Sequence, residues 1–208
     1  AGRWRLEDLA TELSDAVQGR HLLVWSTDPK AAEAWRAVHA DGHLEDRTVS
    51  VGLLNRSATK ADSWIDASVD VSSSAREDGR RELTLTTTIE NRVPGSGPAY
   101  LVGPNVAGLE AGDHTALAVV NLPAGTTDVA MSGAEVFLEG GDGPTVVVGG
   151  KVTVRRGDRA TVTVRALLPA GVDRVVLEPT ARIRPTTWRV DGVEVGRDRR
   201  RTVVLGGS

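Results

Sequence analysis

The stretch "SWIDASVDVSSSAREDGRRELTLTTTIE", Ser63 to Glu90, decides the fold class. Ile65, Ala67, Val69 and Val71 alternate with Trp64, Asp66, Ser68 and Asp70. Leu83, Leu85, Thr87 and Ile89 then alternate with Glu82, Thr84, Thr86, Thr88 and Glu90. A period of two places one set of side chains on each face of a strand, so both segments predict half-buried strands. Asp78-Gly79 between them is turn chemistry, which joins the strands as an antiparallel hairpin.

Downstream, the same signature recurs in "HTALAVVNLP", "TDVAM", "AEVFL", "TVVVGGKVTV", "RATVTVRALLP", "DRVVLEP", "TTWRV" and "RRTVVL", separated by Gly, Asp and Pro. Short strands at regular spacing predict a mainly β fold, an antiparallel β-sandwich immunoglobulin-like in style. Aromatic residues make up 3% of the chain, so its core must be Val, Leu, Ile and Ala. "VPGSGPAYLVGPNVAGLEAGD" is too rich in Gly and Pro for regular structure and predicts a long irregular connection.

Upstream the period is helical. From Trp4 to Gln18, Leu6, Leu9, Ala10, Leu13, Ala16 and Val17 recur at three- and four-residue spacing, and Gly19 stands where a terminating glycine belongs. "RHLLVWS" is a continuous apolar run that predicts a short buried strand. "DPKAAEAWRAVHADG" predicts a second helix, with Asp28 as N-cap, Pro29 in the first turn and Gly42 as terminator. The expected division is a small helix-strand-helix extension over 1–47, part of a preceding domain, and a β-sandwich domain over 48–208. "AGRWRLEDL" enters its helix almost at once, which suggests a piece of a longer protein.

Composition narrows function by exclusion. The 208 residues carry a net charge of -3, so no electrostatic argument favours nucleic acid or an anionic membrane. No cysteine is present, which removes disulfides, thiolate metal sites and a cysteine nucleophile. No apolar run approaches the roughly 18 residues of a membrane span. Positive charge is almost all arginine, with lysine only at Lys30, Lys60 and Lys151, a usage consistent with a GC-rich bacterial genome.

Several candidate sites have ordinary explanations. His39, Asp41, His43 and Asp46 are metal-ligand types, but Asp41-Gly42 breaks the helix between the histidines, and no metal or cofactor is expected. Arg156-Gly157-Asp158 falls between two predicted strands, where a turn explains it. Asp66 and Asp70 share a strand face about 13 Å apart, beyond the reach of a glycosidase carboxylate pair. No nucleotide-binding or hydrolase motif appears.

"VGLLNRSATKADSWID", Val51 to Asp66, breaks from a strand into a polar loop holding Asn55, Lys60, Asp62 and Trp64. Together with "GRHLLVWSTDP" (Gly19 to Pro29) and the later pattern from Leu122-Pro123 to "VRALLP" (Val164 to Pro169), it resembles the C-terminal part of a bacterial cell-envelope family, domain of unknown function 4012. There the loop reads Asn, a short spacer, Asn-Lys, a spacer, Asp and an aromatic pair leading into a strand. Asn55, Lys60, Asp62 and Trp64 match, while Thr59 replaces the second asparagine.

The resemblance implies an extracytoplasmic, actinobacterial-type envelope protein anchored through a segment outside this chain. In it, a preceding domain carries Glu-Leu-Arg and Gly-Gly motifs. The function it implies is an interaction or structural module; the competing one is part of an enzyme acting on envelope polysaccharide, with Lys60 and Asp62 in a cleft. Expected partners are the absent N-terminal domain, another envelope protein or a cell-wall glycan. The four loop residues either close a turn, with Trp64 covering its base, or form a binding surface with Trp64 stacked on a sugar. Leu22, Val24 and Trp25 are expected to contact that N-terminal part or a second copy of the chain, giving self-association.

Overall fold

A computed structural model describes residues 5–206. The hairpin that opens the sequence argument is present: β2 (Ile65–Ala75) pairs antiparallel with β3 (Arg81–Asn91). Its turn is closed by the Asp78 carboxylate, which accepts from the Arg80 N–H, with Gly79 at φ +76°. The alternating apolar set is buried, and its polar partners are half-buried.

Among the described residues, ten further strands make up a mainly β fold: β1 (Thr48–Asn55), β4 (His114–Leu122), β5 (Thr127–Ser132), β6 (Glu135–Asp142), β7 (Thr145–Val154), β8 (Arg159–Leu168), β9 (Arg174–Glu178), β10 (Thr187–Val190), β11 (Val193–Arg197) and β12 (Arg201–Val204). They form two six-stranded sheets, ordered β12-β9-β1-β4-β7-β6 and β11-β10-β2-β3-β8-β5. One core joins Val49, Val120 and Leu177 of the first sheet to Val69, Leu85 and Trp188 of the second, so the inner faces pack on each other. A second cluster, including Ile65, Ile89, Ala116 and Val152, lies toward the end from which the Asn55 loop emerges. Each such aliphatic side chain contributes about 1.5–3 kcal/mol of burial, so a core nearly without aromatics suffices.

The sheets are mixed, which corrects the antiparallel expectation. β1 pairs parallel with β9, and β2 pairs parallel with β10. Alternation reports which face of a strand is buried, not the direction of its neighbour. Here the late segment β9–β10 returns to β1 and β2 running the same way as each. Bulges interrupt the edge strands β5 and β6, where a regular ladder would invite foreign pairing. The chain steps from one sheet to the other between them at Gly133, whose φ is +79° and where a Cβ would stand 2.0 Å from the Thr161 carbonyl.

The long connection before β4 contains one regular piece, α3 (Ala99–Val102). The Arg156-Gly157-Asp158 segment is the β7–β8 turn, with Gly157 at φ +84°.

The extension contains α1 (Leu6–Gln18) and α2 (Pro29–Ala37); the expected start at Trp4 lies outside the described residues. Asp28 caps α2 by accepting from the Lys30 N–H, with Pro29 in the first turn. The left-handed residue after α2 is His39 at φ +58°, three residues before the expected terminator Gly42. After α1, Arg20 rather than Gly19 turns left-handed; Gly19 answers a close approach, since a Cβ there would meet His21 at 2.7 Å and Asp198 at 2.9 Å.

The expected strand at "RHLLVWS" does not form. Leu22 to Trp25 belong to no helix or strand of the described residues, with the Val24 N–H donating to the Ala40 carbonyl at 2.7 Å. A continuous apolar run has no period to distinguish strand from packed coil, and only half of this one is covered. Trp25 is 84% exposed. No helix among the described residues is long and apolar enough to cross a membrane.

Candidate functional site

The four loop residues are brought to one end of the fold, where the Asn55 amide and one Asp62 oxygen are spent on the loop itself. Asn55 ends β1, and its Oδ1 accepts from the Ser57 N–H at 2.8 Å, an Asx turn. The Asn55 Nδ2 donates to the Thr59 carbonyl at 2.9 Å and to Asp62 Oδ2 at 2.8 Å. One amide therefore ties the start, middle and far side of the loop together.

Ser57 locks the loop to β4. Its hydroxyl donates to the Thr115 carbonyl at 3.2 Å and accepts from the Thr115 N–H at 2.6 Å, and the side chain is buried. Lys60 donates its backbone N–H to the Tyr100 carbonyl, anchoring the loop to α3. Asp62 is held by Asn55, not by Lys60, whose ammonium is exposed and makes no ion pair among the described residues. Ala61 to Trp64 form one turn of 3-10 helix. The half-buried Trp64 packs on the second core cluster, covering the base of the loop.

Two groups near Asp62 were not singled out from the sequence. His114 begins β4 on the inward phase it shares with Ala116, Ala118 and Val120, and is 1% exposed. Burial pushes its pKa down to about 4 against the pull of Asp62, with Arg182 adding to the fall. Its Nδ1 has no hydrogen-bond partner among the described residues. Arg182, in the β9–β10 connection, is lowered by burial while Asp62 and Asp66 pull the other way; it donates to the Ile65 carbonyl at 2.8 Å. The phase of His114 within an alternating strand was a usable signal, whereas nothing in "PTARIRP" marks Arg182.

Other candidates are dispersed. Asp66 pairs with Arg92 and Arg184, and Asp70 lies 3.8 Å from Arg189, so the exposed face of β2 is neutralised. Among the described residues, no three His, Asp or Glu side chains are placed to hold a metal; His39 faces Glu45 at 3.5 Å and Asp41 holds Arg36 at 2.9 Å.

The extension meets the first sheet through charge. Glu178, at the end of β9 and buried, receives Arg20 at 3.3 Å and Arg200 at 3.2 Å, and Arg200 also reaches Glu45 at 2.5 Å. Asp198 bonds His21 at 2.8 Å, and Arg199 bonds Asp15 at 2.5 Å. Neither α1 nor α2 buries a residue fully: Leu6 is 82% exposed, and Leu9 and Leu13 are nearly half exposed. The grooves at this junction are lined by residues such as Val38, Arg200, Arg182 and Asp198, and by none of Asn55, Lys60, Asp62 or Trp64.

No protein-family model matches the chain, and no curated protein is significantly similar to it. Among solved structures, a crystal structure of a "putative nutrient binding protein" from Legionella pneumophila is similar over 69% of this chain and 56% of its own, at 11% identity and a TM-score of 0.33. The chain thus spans little more than half of that protein. At that level of likeness neither fold nor function transfers.

Proposed function

We propose that this chain is a non-catalytic interaction module, a two-sheet β-sandwich belonging to an anchored bacterial envelope protein. The observation that carries it is the closure of the Asn55 loop on itself. Asp62, the carboxylate an enzyme would need, accepts from Asn55, while Lys60 is exposed and makes no ion pair with it. A catalytic acid or base must reach a substrate proton within hydrogen-bond distance, and one oxygen of Asp62 is already engaged in holding the turn. The extracytoplasmic setting rests on the match of Asn55, Lys60, Asp62 and Trp64 to the envelope family's loop.

The face assigned to a protein partner is the extension. Trp25 is exposed and Leu22 and Val24 are half-buried, and they follow a helix whose Leu6, Leu9 and Leu13 stay open to solvent, apolar side chains that a partner would cover. The partner is a preceding domain, another envelope protein or a second copy of the chain.

Incubation with peptidoglycan or arabinogalactan-type polymer should release no new reducing ends. Turnover by the chain that disappears in Asp62→Asn, with the fold intact, would overturn the module and promote Asp62 to a catalytic role.

A further inference from the structure

The outer face of the first sheet holds a groove that the loop does not use. Its floor is laid where β4 and β7 run side by side, with Thr115 opposite Thr153 and Leu117 opposite Lys151. Val106 to Leu109, from the long connection before β4, make one wall, and Phe137 of β6 contributes to the lining as well. Arg56, the first residue after β1, joins them, held in place by its N–H on the Thr115 carbonyl at 2.8 Å. The groove measures about 670 Å³, within the range of small-molecule sites.

Its chemistry is two-sided. Arg56 and Lys151 are both exposed, and neither has a carboxylate within ion-pair distance among the described residues. None of the lining residues is acidic, and Glu135, the cross-strand neighbour of Lys151, makes no ion pair with it. Two cations without counter-ions, in a chain of net charge -3, mark a local excess of positive potential. Beside them the surface is apolar. The chain has a single phenylalanine, and it stands 54% exposed here, with Val106 39% exposed in the same lining. The Thr115 and Thr153 hydroxyls, 2.8 Å apart, supply a donor and acceptor pair on the floor.

We infer that this groove binds a small amphipathic anion, its acid group between Arg56 and Lys151 and its apolar body against Leu117, Phe137 and Val106. The inference deepens the interaction-module proposal by naming a ligand class. A neutral sugar would leave both cations unanswered, and a purely apolar ligand would have to desolvate them.

The test uses the full chain and two fluorescent probes of nearly the same body, 1-anilinonaphthalene-8-sulfonate and the neutral N-phenyl-1-naphthylamine. The sulfonate should bind saturably at one site. Arg56→Gln/Lys151→Gln should weaken it by at least about tenfold, the loss expected of charge-assisted bonds. Phe137→Ala should weaken both probes, and Trp25→Ser neither. All four positions are exposed, so folding should be retained, and circular dichroism checks it. Sulfonate affinity unchanged in the double variant, or neutral-probe binding as tight as sulfonate binding, would overturn the inference. Polysaccharide turnover with sulfonate binding intact would overturn only the module.

Discussion

His114 makes the stability of this fold depend on pH in a calculable way. Its folded pKa lies near 4 because burial disfavours the imidazolium, while the unfolded chain titrates at the ordinary 6.5. Above pH 6.5 both states are neutral and the stability is full. As pH falls, the unfolded chain takes up a proton that the folded one refuses, so stability is lost between pH 6.5 and 4 and then levels off. The full gap of 2.5 units corresponds to about 3 kcal/mol, of which about 2 kcal/mol is lost between pH 7 and pH 5. For a chain of this length that lowers the melting midpoint by roughly 4–8 °C. The comparison is His114→Leu, which fills a similar volume and removes a buried nitrogen without a partner. Urea unfolding of both proteins at pH 7 and pH 5 isolates His114, since the other histidines are common to both. The variant should lose about 2 kcal/mol less than the parent over that interval. Equal losses would refute the burial of a neutral His114.

Glu178→Gln should loosen the extension. It leaves Arg20 and Arg200, with side chains 17% and 22% exposed, beside a neutral amide. Because Arg200 keeps Glu45, the cost falls below that of a fully buried pair, to about 2 kcal/mol, and hydrogen exchange at the Val24 amide should quicken while β2 and β3 stay protected. Asn55→Ala removes the bonds to Thr59, Asp62 and Ser57 together and should cost about 2–3 kcal/mol by urea unfolding, against a few tenths if the loop were loosely held. EDTA should leave the melting midpoint unchanged; a fall of more than a few degrees would make the His39 to Asp46 segment a structural metal site. Light scattering at tens of micromolar should show self-association that Trp25→Ser reduces if a second copy covers the extension.

The strands most directly legible in the sequence have one half-exposed face, although the buried run of β9 also reads as a strand. Val69 beside Asp70, and Leu85 beside Thr86, announce two environments, and the hairpin follows from the period and Asp78-Gly79 alone. Asp28-Pro29 placed α2 because a cap is local chemistry. Leu22 to Trp25 show the reverse, since an unbroken apolar run carries no phase and its conformation depends on what lies beside it. The parallel joins of β9 and β10 were hidden for a related reason, being contacts made more than 100 residues from β1 and β2 in the chain. β11 was missed because Val193 and Val195 sit among Gly and Asp that read as turn. In the candidate site, Asn55 was legible as a turn former. Its capture of Asp62, and the approach of His114 and Arg182, needed the third dimension.

The claim that the Asn55 loop closes the end of the fold is tested most directly by nuclear magnetic resonance on the isotope-labelled chain. The side-chain amide protons of Asn55 and the backbone N–H of Ser57 should exchange as slowly as their neighbours in β1 and β4. They should keep their shifts when soluble peptidoglycan or arabinogalactan fragments are added. Rapid exchange at both groups, or fragment-dependent shifts at Asn55, Asp62 and the Trp64 indole, would show a loop built to receive a ligand.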